Sequence, residues 1–388
     1  MKIGLVIFHA DPSRGGAERY TVDVASALSR RGHDVSIIAG SFSDAVPWEI
    51  KRAKLNPQGP SKTWQYIQFL NQLDEHVRTH AYDVIHAMLP VRWCDVYHPH
   101  AGLAAAAVEE GHQKYQGIAR SVARVLNRIN LKRGKFAKTE RSLLARDNRP
   151  LVICLSEYVK RSIRQYYALP ETDLVTLMNA VDLHKFSVTE RPTARETTRE
   201  KLGLKKDQIA ALMVAQDFAR KGLRETIMAL PKTKFPNLRL IVVGKDDARE
   251  YEELAKFWEV ADRVTFVGGT NDVYAYYRAA DFFVLPTRHD PCSLVVLEAM
   301  AMGLPVISTK NNGATEMMEN GVHGFVLPAS PRIEDLAEAM NQLCDPRKRQ
   351  TMSEACLAQR SRLSFDEHLN LLLKIYQTAQ KRRLRGKV

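Results

Sequence analysis

The chain has 388 residues, enough for two or three domains at roughly 100–200 residues each, with 45% hydrophobic and 26% charged residues, as in a globular protein with a sizeable core. No stretch approaches the roughly 18 apolar residues of a membrane span, and five scattered cysteines without CxxC spacing exclude a disulfide framework and a zinc site. Secreted, collagenous, disordered and membrane-spanning classes are thereby excluded, and what stands out is charge: 57 basic residues against 44 acidic, a net +13.

Residues 2–8 form a continuous apolar run that predicts a strand, with no signal-peptide pattern ahead of it, so the expected compartment is the cytoplasm. A turn at Arg14-Gly15-Gly16 opens a helix over 17–31, which Gly32 stops before the next strand, 34–39. Continuous apolar strands alternating with amphipathic helices predict a parallel sheet covered on both faces. The pattern recurs at 83–86 and 151–155, the latter followed by a helix over 156–167. Pro170 and Glu171 then interrupt it, and a second α/β unit begins. Its strands are expected at 210–215, 238–243, 264–267, 282–285 and 306–308, with Gly244 and Gly268 at strand ends, where open α/β sheets bind ligands. After Arg332 the pattern is helical, and 365–380 is expected to pack back on the first unit. The expected architecture is α/β: two doubly wound parallel-sheet domains facing a cleft, spanning 1–172 and 173–364, with a returning C-terminal helix and basic tail over 365–388.

Three motifs carry chemistry. Gly15-Gly16-Ala17-Glu18 follows the first strand and opens a helix, where backbone can approach an anionic ligand; a plain glycine turn is equally compatible. It is not GxGxxG, and no acid ends the second strand to hold a ribose, so NAD is poorly matched. Asp217-Phe218-Ala219-Arg220-Lys221-Gly222 places two adjacent cations at a strand-to-helix turn, suited to a diphosphate or to plain solvation. The run from His289 to Met300 puts Asp290 in a loop and Glu298 about one turn into the next helix, so both carboxylates can face one ligand and bond vicinal sugar hydroxyls. Helix capping by Asp290 or Ser293, with Glu298 at the surface, is the structural alternative. His86, His98 and His100 alternate without an HExxH pattern, so no metal site is expected.

Asp290…Glu298 resembles the E-x7-E motif of the retaining glycosyltransferases of family 4, which have the GT-B fold. Collinear matches include Gly15-Gly16-Ala17-Glu18, Asn179-Ala180-Val181-Asp182, Arg220-Lys221-Gly222, Val242-Val243-Gly244 and Glu298-Ala299-Met300-Ala301-Met302-Gly303-Leu304-Pro305. A narrower similarity, to the lipopolysaccharide core glucosyltransferase I group, rests on Asp95-Val96-Tyr97, Thr139-Glu140-Arg141, Asp217–Gly222 and Asn271-Asp272-Val273. The resemblance implies a nucleotide-sugar donor, usually UDP-glucose, bound mainly by the second domain, with no obligatory metal. It implies that Arg220 and Lys221 stabilise the departing diphosphate, that Glu298 accepts from the ribose and that Asp290 accepts from the hexose. Gly15, Gly16, Gly244, Val267, Leu294 and Val295 would line the donor through their backbone. A histidine of the first domain, His100 in preference to His98, would stand beside the sugar. Two departures touch sugar selectivity: Asp290 stands where the family has Glu, and Cys292-Ser293 where it has Phe-Gly.

Charge is concentrated in two places. Residues 113–146 hold ten basic residues and one acid, and 381–388 hold five basic residues, so the remainder is nearly neutral. Within 118–130, Ile118, Val122, Val125, Leu126 and Ile129 form a helical stripe, with Arg120, Arg124 and Arg128 on another face. Such a helix suits an anionic membrane surface, or packs its stripe on the protein's own sheet. A lipid-linked glycan acceptor, as the subgroup implies, favours peripheral attachment to the inner face of the inner membrane. No RNP, KH, zinc or helix-turn-helix signature accompanies the charge to indicate nucleic acid.

Overall fold

The computed structural model describes residues 1–100, 102–106, 131–188, 191–270 and 272–385. It divides into two compact units, Met1–Met178 together with the chain from His368, and Asn179–Glu367. Arg120, Arg124 and Arg128, with the rest of the expected basic helix, lie outside the described residues.

The first unit is built on β1 (Lys2–Ala10), β2 (Asp34–Phe42), β3 (Lys51–Lys54), β4 (Val84–Ala87), β5 (Val96–Tyr97), β6 (Leu151–Cys154) and β7 (Leu174–Thr176). They lie in the order β3-β2-β1-β4-β5-β6-β7. All neighbours are parallel, with Lys2 opposite Asp34 and Ile3 opposite Val84. The second unit repeats the pattern with β8 (Ile209–Val214), β9 (Leu238–Val243), β10 (Val264–Gly268), β11 (Phe282–Leu285), β12 (Val306–Thr309) and β13 (Gly324–Leu327). Their order is β10-β9-β8-β11-β12-β13, again all parallel. Helical crossovers cover both faces, which is why the inner strands are buried end to end: every residue of β4, β6, β11 and β12 is buried. In each unit the strand order turns outward from its first strand, so the switch points lie between β1 and β4 and between β8 and β11. Ligands of such sheets bind beyond the carboxyl ends of the strands at that place.

Four strands lie outside the sequence expectation. β3 (KRAK) is a mostly exposed edge strand whose single apolar residue is Ala53, and β5 pairs over two residues only. β13 is a short edge strand. β7 moves a boundary: Val152, Ile153 and Cys154 pair with Leu174, Val175 and Thr176, so the first unit runs to Met178 rather than 172. The C-terminal helix runs Phe365–Arg385 and its chain from His368 belongs to the first unit. Two cations of the expected basic tail are bound by the protein itself. Arg382 donates to Asp173 at 2.7 Å, and Arg383 to Asp95 at 3.2 Å and to the carbonyl of Tyr82 at 2.9 Å.

Candidate active site

In the second unit, the loops leaving β8 and β11 meet at the switch point. Asp217 begins the short helix Phe218–Lys221 by accepting from the N–H of Arg220 at 3.0 Å. That turn aims two cations at the β11 loop. The Arg220 guanidinium donates to the carbonyl of His289 at 2.9 Å and to Asp217 at 3.2 Å, and lies 3.9 Å from Asp290. The Lys221 ammonium is hydrogen-bonded to the Asp290 carboxylate and lies 3.4 Å from Ser293 Oγ. Lys221 and Asp290 side chains are only 11% and 10% exposed, whereas Arg220 keeps 34%. Burial alone would raise the Asp290 carboxyl. The Lys221 charge, its hydrogen bond and the nearby Arg220 outweigh burial and hold it below the usual carboxylate range, so it is ionised at neutral pH.

Backbone geometry fixes this meeting. Gly222 ends the short helix at φ 83°, where a Cβ would stand 2.4 Å from the carbonyl oxygen of Pro286. The glycine therefore lets the two loops touch each other. Thr287 Oγ1 donates to the carbonyl of Arg220 at 3.1 Å, and the N–H of Arg288 donates to the same oxygen at 2.9 Å. Asn312 fastens the other side. Its Oδ1 accepts from the N–H groups of Ser293 (3.2 Å) and Ala314 (3.1 Å), while Asp290 exchanges backbone bonds with Asn311 and Gly313. Asn179 Nδ2 donates to the carbonyl of Cys292 at 2.8 Å. Thr287 carries no sequence signal and Asn179 is legible only as a member of its motif; the roles of Asn179 and Asn312 as loop clamps are set by contacts across 113 and 19 residues.

The helix Leu294–Ala301 starts directly after this loop. Asp290 does not cap it, being engaged with Lys221, and Ser293 makes no side-chain cap bond. Glu298 is buried, 5% exposed, and accepts from the Tyr277 hydroxyl at 2.8 Å. The alternative of capping residues with a surface glutamate is thereby excluded. Leu294 and Val295 remain partly exposed at the first turn, while Val296 and Leu297 are core. The structure thus brings Arg220, Lys221 and Asp290 into one cluster, with Glu298 tethered on the adjoining helix by Tyr277, a residue no motif singled out.

Gly244 lies where β9 ends, and a Cβ there would stand 1.8 Å from the carbonyl oxygen of Ala215. Strand-end packing alone requires that glycine. Val267 is half-buried on the edge strand β10. Gly15, Gly16 and His100 belong to the first unit, where Gly16 opens the helix Gly16–Arg30 behind β1.

His100 sits in an aromatic cluster of that unit. Its ring centroid is 4.7 Å from Tyr20 and 5.0 Å from His98. His100 keeps 7% of its surface and His98 none. Neither ring nitrogen of His98 has a hydrogen-bond partner among the described residues, and burial holds that ring well below the usual histidine range, hence neutral. His368 bonds the carbonyl of Met178 through Nδ1 at 2.8 Å and the Tyr20 hydroxyl through Nε2 at 2.7 Å. A carbonyl only accepts, so Nδ1 carries the proton and Nε2 accepts from Tyr20. Among the described residues no three His, Cys, Asp or Glu side chains are arranged to hold a metal ion, and no helix is long and apolar enough to cross a membrane.

The family model described as Glycosyltransferase Family 4 matches residues 14–185, and that described as Glycosyl transferases group 1 matches residues 194–357. The chain is 26% identical to the lipopolysaccharide glucosyltransferase WaaG of Escherichia coli over 332 residues, covering 84% of this chain and 86% of that one. It is also 26% identical to a D-inositol 3-phosphate glycosyltransferase of Xylanimonas cellulosilytica across 98% of each chain. Among solved structures, a crystal structure of WaaG superposes with a TM-score of 0.82 at 23% identity, covering 96% of this chain and 99% of its own. HepE from Anabaena, solved with UDP and glucose, superposes with a TM-score of 0.72 at 21% identity, covering 97% and 100%. With two parallel-sheet units of this architecture and one family model on each, the chain belongs to the family 4 glycosyltransferases of GT-B fold.

Proposed function

We propose that this enzyme transfers a hexose, glucose from UDP-glucose in the first instance, with retention of configuration onto a lipid-linked glycan such as the lipopolysaccharide core. The Arg220–Lys221–Asp290 cluster at the switch point of the second unit carries this conclusion. Two preorganised cations, Lys221 buried and Arg220 partly exposed, are suited to the charge that builds on a departing diphosphate, work that a metal ion does elsewhere. With the donor bound, Lys221 exchanges its bond to Asp290 for one to phosphate, which frees the Asp290 carboxylate for the hexose 3- or 4-hydroxyl. Glu298 accepts from the ribose hydroxyls, and the N–H groups of Leu294 and Val295 at the helix start face the diphosphate. Val267 and Gly244 border the uracil, while Gly15, Gly16 and His100 serve the sugar side. No obligatory metal takes part. Two relatives support donor and acceptor: one named for glucosyl transfer in lipopolysaccharide, and one solved with UDP and glucose. The basic residues of 113–146, with those of 381–388 other than the protein-bound Arg382 and Arg383, hold the enzyme to the anionic cytoplasmic face of the inner membrane.

The test is turnover. Purified enzyme is incubated with a panel of UDP- and GDP-sugars and with lipid-linked core oligosaccharide or inositol phosphate, and products are read by mass spectrometry and anomeric NMR. Glucose added to the oligosaccharide in the donor's anomeric configuration is expected. Transfer to inositol phosphate instead would overturn the acceptor, and inversion would overturn the mechanism. Arg220→Ala, at a partly exposed position, should lose about 100-fold or more in kcat while remaining folded; near-normal turnover would remove the diphosphate role.

A further inference from the structure

Glu140 is fully buried on the helix Leu131–Leu144, and the donor chemistry above makes no use of it. Its Oε1 accepts from the Tyr97 hydroxyl at 2.5 Å and from the N–H of Ala104 at 3.1 Å. Its Oε2 accepts from the Tyr167 hydroxyl at 2.8 Å and from the N–H of Ala105 at 3.1 Å. Each oxygen thus takes one hydroxyl and one backbone N–H, which fills the accepting capacity of a carboxylate. A buried carboxyl group is tolerated at such a place only when it is satisfied in this way.

The partners are what give the group meaning. Tyr97 ends β5 and directly precedes His98, while Ala104 and Ala105 follow the turn that carries His98, Pro99 and His100. Inside that turn the N–H of His100 donates to the carbonyl of His98 at 2.7 Å and the N–H of Gly102 to that of Pro99 at 2.9 Å. Both ends of the histidine turn are therefore pinned to one carboxylate supplied from 43 and 36 residues further along the chain. We infer that Glu140 is the positioning residue of the His98–His100 turn and sets the placement of His100 against the donor sugar, an inference that rests on the sugar-side role proposed for His100.

Chemistry explains why glutamate is needed. A glutamine offers one oxygen and one NH2 group. A tyrosine hydroxyl can rotate to accept from that NH2, but a backbone N–H cannot, so one end of the turn loses its anchor whichever way the amide lies. Glu140→Gln keeps the shape of the side chain. It is expected to lower kcat for transfer and for slow donor hydrolysis about 10- to 100-fold through misplacement of the turn, with donor KM changed less than about twofold. UDP affinity by calorimetry should be unchanged. In the same variant the imidazole NMR signals of His98 and His100 should shift, while those of His184 and His323 in the second unit stay in place.

If Glu140→Gln does not fold, Tyr97→Phe removes a single hydroxyl, leaves the carboxylate its three other partners, and should show the same pattern at smaller amplitude. Wild-type kcat in a folded variant, or unmoved signals from His98 and His100, overturns the inference. A wild-type enzyme that turns over no sugar nucleotide sinks the proposed function instead, and the histidine signals still decide whether Glu140 holds the turn.

Discussion

Lys221 and Asp290 place opposite charges where water hardly reaches, and that arrangement fixes how each responds to substitution. Removing either partner strands the other charge in a pocket of low polarisability, which costs about 3 kcal/mol or more. Lys221→Met and Asp290→Asn should each lower unfolding free energy by about that amount in urea titrations. The double variant should lose clearly less than the two single losses together, because it leaves no stranded charge; strict additivity would show that the pair is not coupled. Acid should leave the pair alone until low pH. The Asp290 carboxyl is held below the usual carboxylate value, so its stabilising contribution is present above the unfolded value of about 3.9 and disappears only as pH falls through the lowered one. Loss of stability between pH 6.5 and 4 must come from other groups.

Those groups include, besides the buried His98, two histidines where the C-terminal helix Phe365–Arg385 meets the rest of the first unit. His368 on this helix bonds Tyr20, and Tyr376 bonds His86 Nδ1 at 2.7 Å. Burial holds His86 down at about 3 and His368 at about 4, against about 6.5 in an unfolded chain. The unfolded state therefore binds protons first. The neutral histidines stabilise the fold fully above pH 6.5, and that contribution is lost as pH falls toward 4, with a slope of about 1.4 kcal/mol per pH unit for each histidine. Urea unfolding at pH 7.5, 6, 5 and 4.5 should show this fall. Replacing His368 by Gln, which can still donate to Met178 and accept from Tyr20, should flatten it by one histidine's share; an unchanged slope would contradict the assignment. Elements of this unit were unevenly legible. Strands buried on both faces, such as β1 and β6, announce themselves as apolar runs, whereas β3 (KRAK) is an edge strand made by pairing alone and β7 is three residues long. The site divides similarly. Two cations side by side after a strand, and two carboxylates eight apart, carry their chemistry in local spacing. Lys221 meeting Asp290 across 69 residues, Tyr277 holding Glu298, and Glu140 gathering four donors depend on loops brought together by the sheets.

At the scale of the molecule, the net charge of +13 is almost wholly the charge of 113–146 and 381–388. Within the tail, Arg382 and Arg383 are already engaged with Asp173 and Asp95, pairs that fasten the last turns of the helix within its own unit. Membrane attraction by cations is worth about 1 kcal/mol for each one near an anionic surface, and salt screens it over about 10 Å at 0.1 M. Charge substitutions in the two regions should then have separable effects. Arg120→Glu, Arg124→Glu and Arg128→Glu together remove three attractive charges and add three repulsive ones, so binding to vesicles containing phosphatidylserine should fall at least about 100-fold in flotation. Donor hydrolysis in solution, for which the proposed function uses none of these three arginines, should be unaffected. Arg382→Ala with Arg383→Ala should instead lower the unfolding midpoint and leave most vesicle binding in place, because those guanidinium groups face protein carboxylates. Retained flotation in the triple variant, or its loss in the tail variant with the midpoint unchanged, would reverse the assignment of attachment and fastening.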